Sequence, residues 1–187
     1  LAGYLQEWRG QRDKLLAWND PRLMQYPSSV AITWQTSFDQ LGEQAKRLLQ
    51  RLACLAAAPI PESLLDVEVP ETAADEDAYA ALAELESYSL VTRADDAPAF
   101  TVHRLVQTVT RATADPARLT EALGWIGRAF IGDPGDVRDW PQLDPLLPHA
   151  QAVATRADEA GVAEPTARLM NDCGLLLHNK ARFAEAG

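Results

Sequence analysis

Apolar positions recur at helical spacing along most of this chain and change to a period of two only once. Leu1, Tyr4, Leu5 and Trp8 share a stripe, which predicts a helix to about Ala17, before "NDP" stops it. "YPSS" restarts the chain, and Ser28 or Ser29 can cap a short helix carrying Val30, Trp34 and Phe38. After Gly42 a stronger stripe of Ala45, Leu48, Leu49, Leu52 and Leu55 predicts a helix that ends at "APIP". Pro61 suits the first position of a short helix through Leu64 and Leu65, because proline there forfeits no helical hydrogen bond. Residues 76–87 form the next predicted helix, with Ala78, Leu82, Leu85 and then Tyr88 inward.

The period then shifts. "SLVTR" and "AFTV" alternate as strands do, and the turn-rich "ADDAP" between them makes a small hairpin. A helix from about His103 to Ala114 follows at once, with Leu105, Val106 and Val109 as its buried side. Asp115 and Pro116 pair a cap with a first-turn proline and open a helix bearing Leu119, Leu123, Ile126 and Phe130. Beyond the "GDPGD" loop, Leu143, Leu146, Leu147, Ala150, Val153 and Ala157 recur at helical spacing, with Pro145 and Pro148 confining the regular part to the residues after them. Pro165 starts the last full helix. Helices, one two-stranded wing and more helices predict a mainly α protein: a winged-helix domain with a small two-stranded β-wing, then an α-helical array.

Composition narrows what such a chain can do. With 187 residues, 47% of them hydrophobic, it can bury a core. A net charge of −10 repels phosphate backbones and anionic lipid surfaces, so bulk nucleic-acid and membrane binding are excluded as expectations. Cys54 and Cys173 sit in apolar helical patterns and read as core residues of a protein from a reducing, cytoplasmic compartment. A helix already under way at Leu1 and another opening at "FAEA" read as a piece of a longer chain.

Candidate chemistry is sparse. A G-x-x-x-x-G-K-[ST] phosphate loop is absent, and the only lysines are Lys14, Lys46 and Lys180, so enzymatic nucleotide hydrolysis is not expected of these residues alone. His149 and His178 read as partly exposed helix residues, and Cys173 and His178 point about 140° apart on one helix, so no metal site is expected. Asp133, Asp136 and Asp139 have the wrong spacing for a calcium loop and read as turn and cap residues. The helix that would enter a DNA groove carries Asp75, Glu76, Asp77, Glu84 and Glu86 without a cation, which argues against DNA reading.

What stands out is the seam "FTVHRLVQ", where His103 ends a strand and begins a helix. Together with "YPSSVAITWQTSFDQL" and "LAELESYSLV", it resembles the winged-helix segment of bacterial signal-transducing ATPases of the NB-ARC, or STAND, type that carry tetratricopeptide repeats. The closing "LMNDCGLLLHNKARFAEA" is similar to the first helix and turn of such a repeat, with Gly174 at a close-packing position, Leu177 and Phe183 at large apolar positions and Ala186 at a small one; Met170 stands where an aromatic is usual. The resemblance divides the chain into the end of an ATPase helical subdomain (1–25), a winged helix (26–114), a linking helical hairpin (115–163) and the start of the repeats (164–187).

The resemblance implies that His103 contacts the phosphates of ADP held by an upstream ATPase core in the same chain, with ADP or ATP and magnesium as cofactors of the full-length protein. It implies a partner or trigger bound by the repeats and a homo-oligomer on activation. Where many members follow this His with Asp, this chain has Arg104, so no role of that Asp transfers. From the residues alone His103 reads first as a cap on the following helix; the phosphate role comes from the resemblance. Two other functions also stay open: part of a repeat-containing transcriptional regulator, and a helical scaffold without a nucleotide.

Overall fold

The computed structural model of the chain describes residues 36–69 and 77–186, with side chains through residue 181. The helix expected over 1–17, and most of the short one carrying Val30 and Trp34, lie outside the described residues. Contacts divide the chain into two units, Leu1–Leu41 and Gly42–Gly187. In the first, residues 36–40 are helical. The second holds every element discussed below.

Helix α1 (Glu43–Ala53) follows from its stripe: Ala45, Leu48, Leu49 and Leu52 are fully buried, and Leu55 stays buried past its end. No side chain of its own caps its start. Glu84 does so from α2 (Ala78–Ser87), its Oε1 accepting the Gly42 N–H at 2.7 Å. Asp77 caps α2 in turn by accepting the Tyr79 and Ala80 amides at 3.0 Å. The inward side of α2 is Ala81, Leu82 and Leu85; Ala78 and Tyr88 are half-exposed, one step off the expected stripe.

Strands β2 (Val91–Arg93) and β3 (Ala99–Val102) form the expected hairpin, with Val91 opposite Val102 and Arg93 opposite Phe100. The sheet is nonetheless three-stranded, order β1–β3–β2, because β1 (Ile60–Pro61) pairs antiparallel with β3, Ile60 opposite Phe100. Pro61 is tolerated because β1 is an edge, where a missing N–H costs no ladder bond. The expected short helix is a 3-10 turn, Glu62–Asp66, whose flanking residue is Pro61. Arg93 reaches from β2 to both Glu62 and Glu86, tying the hairpin to that turn and to α2.

Helices α3 (Arg104–Thr113) and α4 (Ala117–Ala129), a short α5 (Trp140–Leu143), α6 (Leu147–Glu159) and α7 (Thr166–Ala186) complete the chain, and the protein is mainly α with one small antiparallel sheet. Asp115 accepts the Ala117 amide at 2.9 Å and starts α4 as expected. Trp125 joins Leu123 and Ile126 in the core against α1, and Arg51 of α1 lies 5.8 Å from the Trp125 ring centre. Helix α6 packs between α4 and α7.

Two helices end in the same Schellman geometry. At α6 the Gly161 and Val162 amides bond Asp158 O and Ala157 O, with Gly161 at φ +75°; at α2 the Ser89 and Leu90 amides bond Glu86 O and Leu85 O, with Ser89 at φ +57°. Only the first uses the residue that adopts this region without a steric cost.

Candidate functional site

His103 stands where β3 ends and α3 begins, and its surroundings are built from both sides. Val102, the last strand residue, is buried and paired with Val91, which fixes the backbone entering His103. On leaving it, the His103 carbonyl accepts the Gln107 amide at 3.0 Å, so the helix starts immediately. His103 itself is exposed. Its Nδ1 accepts the Leu105 amide at 3.2 Å, so it is the cap of α3. A ring nitrogen that accepts carries no proton, so the neutral imidazole bears its proton on Nε2. Nε2 has no hydrogen-bond partner among the described residues. The seam therefore presents one oriented N–H donor to solvent, and Arg104 beside it is exposed as well.

What holds α3 differs from the sequence expectation. Leu105, Val106 and Val109 are only half-buried, and the residues that face inward are Gln107 and Thr110, at 2% and 0% exposure. The reason lies in α1. A helix leaves its last carbonyls unpaired, with the negative end of its dipole beside them, and those of α1 end inside the fold. Gln107 Nε2 donates to Leu52 O, Leu55 O and Ala56 O at 3.2, 3.5 and 3.3 Å. Arg111 donates to Ala53 O at 2.5 Å, and Arg156 of α6 to Cys54 O at 3.0 Å. Gln107 and Arg111 reach inward to satisfy them, which an apolar stripe could not do; the buried Thr110 hydroxyl has no hydrogen-bond partner among the described residues, and its burial is not explained by these carbonyls.

The connector after α1 is held in the same way. His149 Nε2 lies 2.9 Å from Pro59 O, Trp125 Nε1 donates to Leu64 O and Val67 O at 3.0 and 3.1 Å, and Arg128 donates to Glu68 O at 2.9 Å. His149, expected to be partly exposed, is fully buried for this reason. Its carbonyl bond requires a proton on Nε2, and burial lowers its pKa, which keeps the ring neutral. Burial and the neighbouring Arg156 also lower the Arg111 pKa.

The remaining candidates carry no ligand chemistry. Asp133, Asp136 and Asp139 accept the Gly135, Arg138 and Asp133 amides at 2.8, 2.9 and 2.7 Å, the turn roles expected of them. Cys54 and Cys173 are buried free thiols; burial raises both, Cys173 to about 11, so neither is a thiolate at neutral pH. No group of ligating side chains that could hold a metal occurs among the described residues, and no described helix is long and apolar enough to cross a membrane. On α7, Gly174 faces open space instead of a close-packed neighbour, and Met170 and Leu177 are 38% and 45% exposed. The helix runs unbroken to Ala186, where a repeat would turn before Phe183.

Residues 36–119 match the profile of a family described only as a domain of unknown function (DUF7779). Over 166 residues, 84% of this chain, the sequence is 28% identical to a "Nucleotide-binding leucine-rich repeat (NLR)-like protein" of Hyaloscypha variabilis. The chain has a distant NLR-like relative. The match spans 16% of that relative's length, and no solved structure matches the chain. Such a relative is compatible with a regulatory segment of a signalling protein.

Proposed function

We propose that these residues form the regulatory segment of a STAND-type nucleotide switch, in which a winged helix senses ADP in an upstream ATPase core. The observation that carries this reading is the exposed His103 ring, fixed through Nδ1 with its Nε2–H directed to solvent. A ring N–H held at such a junction is a donor suited to one phosphate oxygen, and holding it in place beforehand removes the entropy cost of ordering it on contact. The described residues supply one such contact and the sequence has no G-x-x-x-x-G-K-[ST] loop, so the rest of the nucleotide site and any magnesium belong to the core. The resemblance of "VHR" to the nucleotide-sensing seam of STAND proteins and the NLR-like relative support the same reading.

In the closed state His103 would bridge this segment to the diphosphate. The helices after residue 115, continuing into repeats stacked on the exposed Met170–Leu177 side of α7, would bind a protein trigger. A trigger shifts the balance only by binding the open state more tightly, and opening then frees core surfaces for oligomerisation. The test uses a chain that includes the core. His103→Leu should speed ADP release and raise basal activity; unchanged ADP release would count against the reading.

A further inference from the structure

Trigger binding behind residue 115 must reach His103 by some physical route, and the polar contacts on α1 supply one. The last carbonyls of α1 are shared between two bodies. Helix α3, which carries His103 at its start, grips them through Gln107 and Arg111; helix α6 grips the adjacent Cys54 O through Arg156, which also bonds its own Ala152 O at 2.8 Å. Neither arginine bonds a carboxylate among the described residues: Arg111 has only Ala53 O and Thr108 Oγ1, and Arg156 only the two carbonyls. Both therefore draw on one helix dipole, and they repel each other across it. The same α6 holds the connector again through His149 on Pro59 O.

We infer that the C-terminal end of α1 is a joint through which α6 sets the position of α3 and of His103, with Arg156 as its positioning residue. A displacement of α6 withdraws the guanidinium from Cys54 O and loosens the end of α1. Gln107 and Arg111 then lose their fixed acceptors, and α3 loses the brace along its buried face. The output of the joint rests on the nucleotide reading above; the joint does not.

The experiment is amide hydrogen exchange followed residue by residue in the 187-residue chain, comparing wild type with Arg156→Met, Arg156→Lys and, away from the joint, Lys180→Met, which removes the 2.6 Å Lys180–Asp144 ion pair. Losing one charged hydrogen bond at the joint should speed exchange of the Gln107, Thr110 and Arg111 amides by roughly tenfold in Arg156→Met. Arg156→Lys keeps the cation without the fork and should give a smaller acceleration at the same amides. Lys180→Met should leave them unchanged. Acceleration confined to α6 in either Arg156 variant would overturn the joint, and so would equal acceleration in Lys180→Met. If Arg156→Met does not fold, the Arg156→Lys pattern decides alone. In a chain with the core, faster α3 exchange with unchanged ADP release would leave the joint standing and sink the nucleotide reading.

Discussion

Replacing Gln107 with Met tests whether the polar face of α3 is structural. Methionine has nearly the length of glutamine and fills the same space, so the perturbation is the loss of the amide. Three carbonyls then lose a donor. Leu52 O keeps the Leu55 amide at 3.1 Å, and Ala56 is half-exposed, where water can replace the lost bond. Leu55 is fully buried and its carbonyl has no other partner among the described residues. One stranded buried acceptor costs about 1–3 kcal/mol, and the two replaceable bonds add about 1 kcal/mol or less between them. The expected destabilisation is therefore about 1–4 kcal/mol, partly offset by the extra apolar burial of the Met side chain. Urea denaturation followed by far-ultraviolet circular dichroism reads it as a lower midpoint at unchanged slope. A loss below about 0.5 kcal/mol, the ordinary range for a surface substitution, would refute the claim that Gln107 terminates α1.

The two Schellman ends predict opposite outcomes for changes at equivalent positions. Ser89→Gly should stabilise the chain by up to about 1 kcal/mol, while Gly161→Ala, in open space but at φ +75°, should cost about 1 kcal/mol; both are read from thermal midpoints, and equal signs would contradict the assignment. His149 predicts an acid limb. Its folded pKa lies below the ordinary value near 6.5, so the folded chain binds fewer protons than the unfolded one. The stability present above that value is lost as the pH falls through the folded pKa. His149→Gln, which can still donate to Pro59 O, should flatten stability against pH in that window; an unchanged slope would place the titration elsewhere. Trp125→Phe should cost about 1–2 kcal/mol by removing the donor to Leu64 O and Val67 O, and a neutral result would rule out its role in holding the 3-10 turn.

Elements whose burial is apolar were legible in the sequence. The α1 stripe, the alternation of β2 and β3 and the Asp115–Pro116 start all follow from hydropathy and cap chemistry. β1 was hidden because two residues, one a proline, carry no alternation. The face of α3 was misread because hydropathy assigns Gln107 to solvent, whereas the carbonyls of α1 demand a donor inside the fold; His149 was misread because Pro59 O makes the same demand. A signal did exist in the composition: Gln107, Arg111, Arg128, His149 and Arg156 recur in helices that otherwise look like core, which is what a carbonyl-rich connector requires. The seam at His103 was legible as a place. The ring's bond to the Leu105 amide was not separable there from a ligand role, and the geometry makes the two compatible, since the cap uses Nδ1 and leaves Nε2–H outside.

That compatibility can be tested by separating the two roles. Serine is among the best caps and can accept the Leu105 amide, but it has no N–H to reach a phosphate. In a chain containing the core, His103→Ser should therefore keep the stability of α3 while ADP leaves roughly tenfold to a hundredfold faster, the equivalent of one hydrogen bond to a charged group. ADP release at the wild-type rate from that variant would mean that His103 caps α3 and does nothing more.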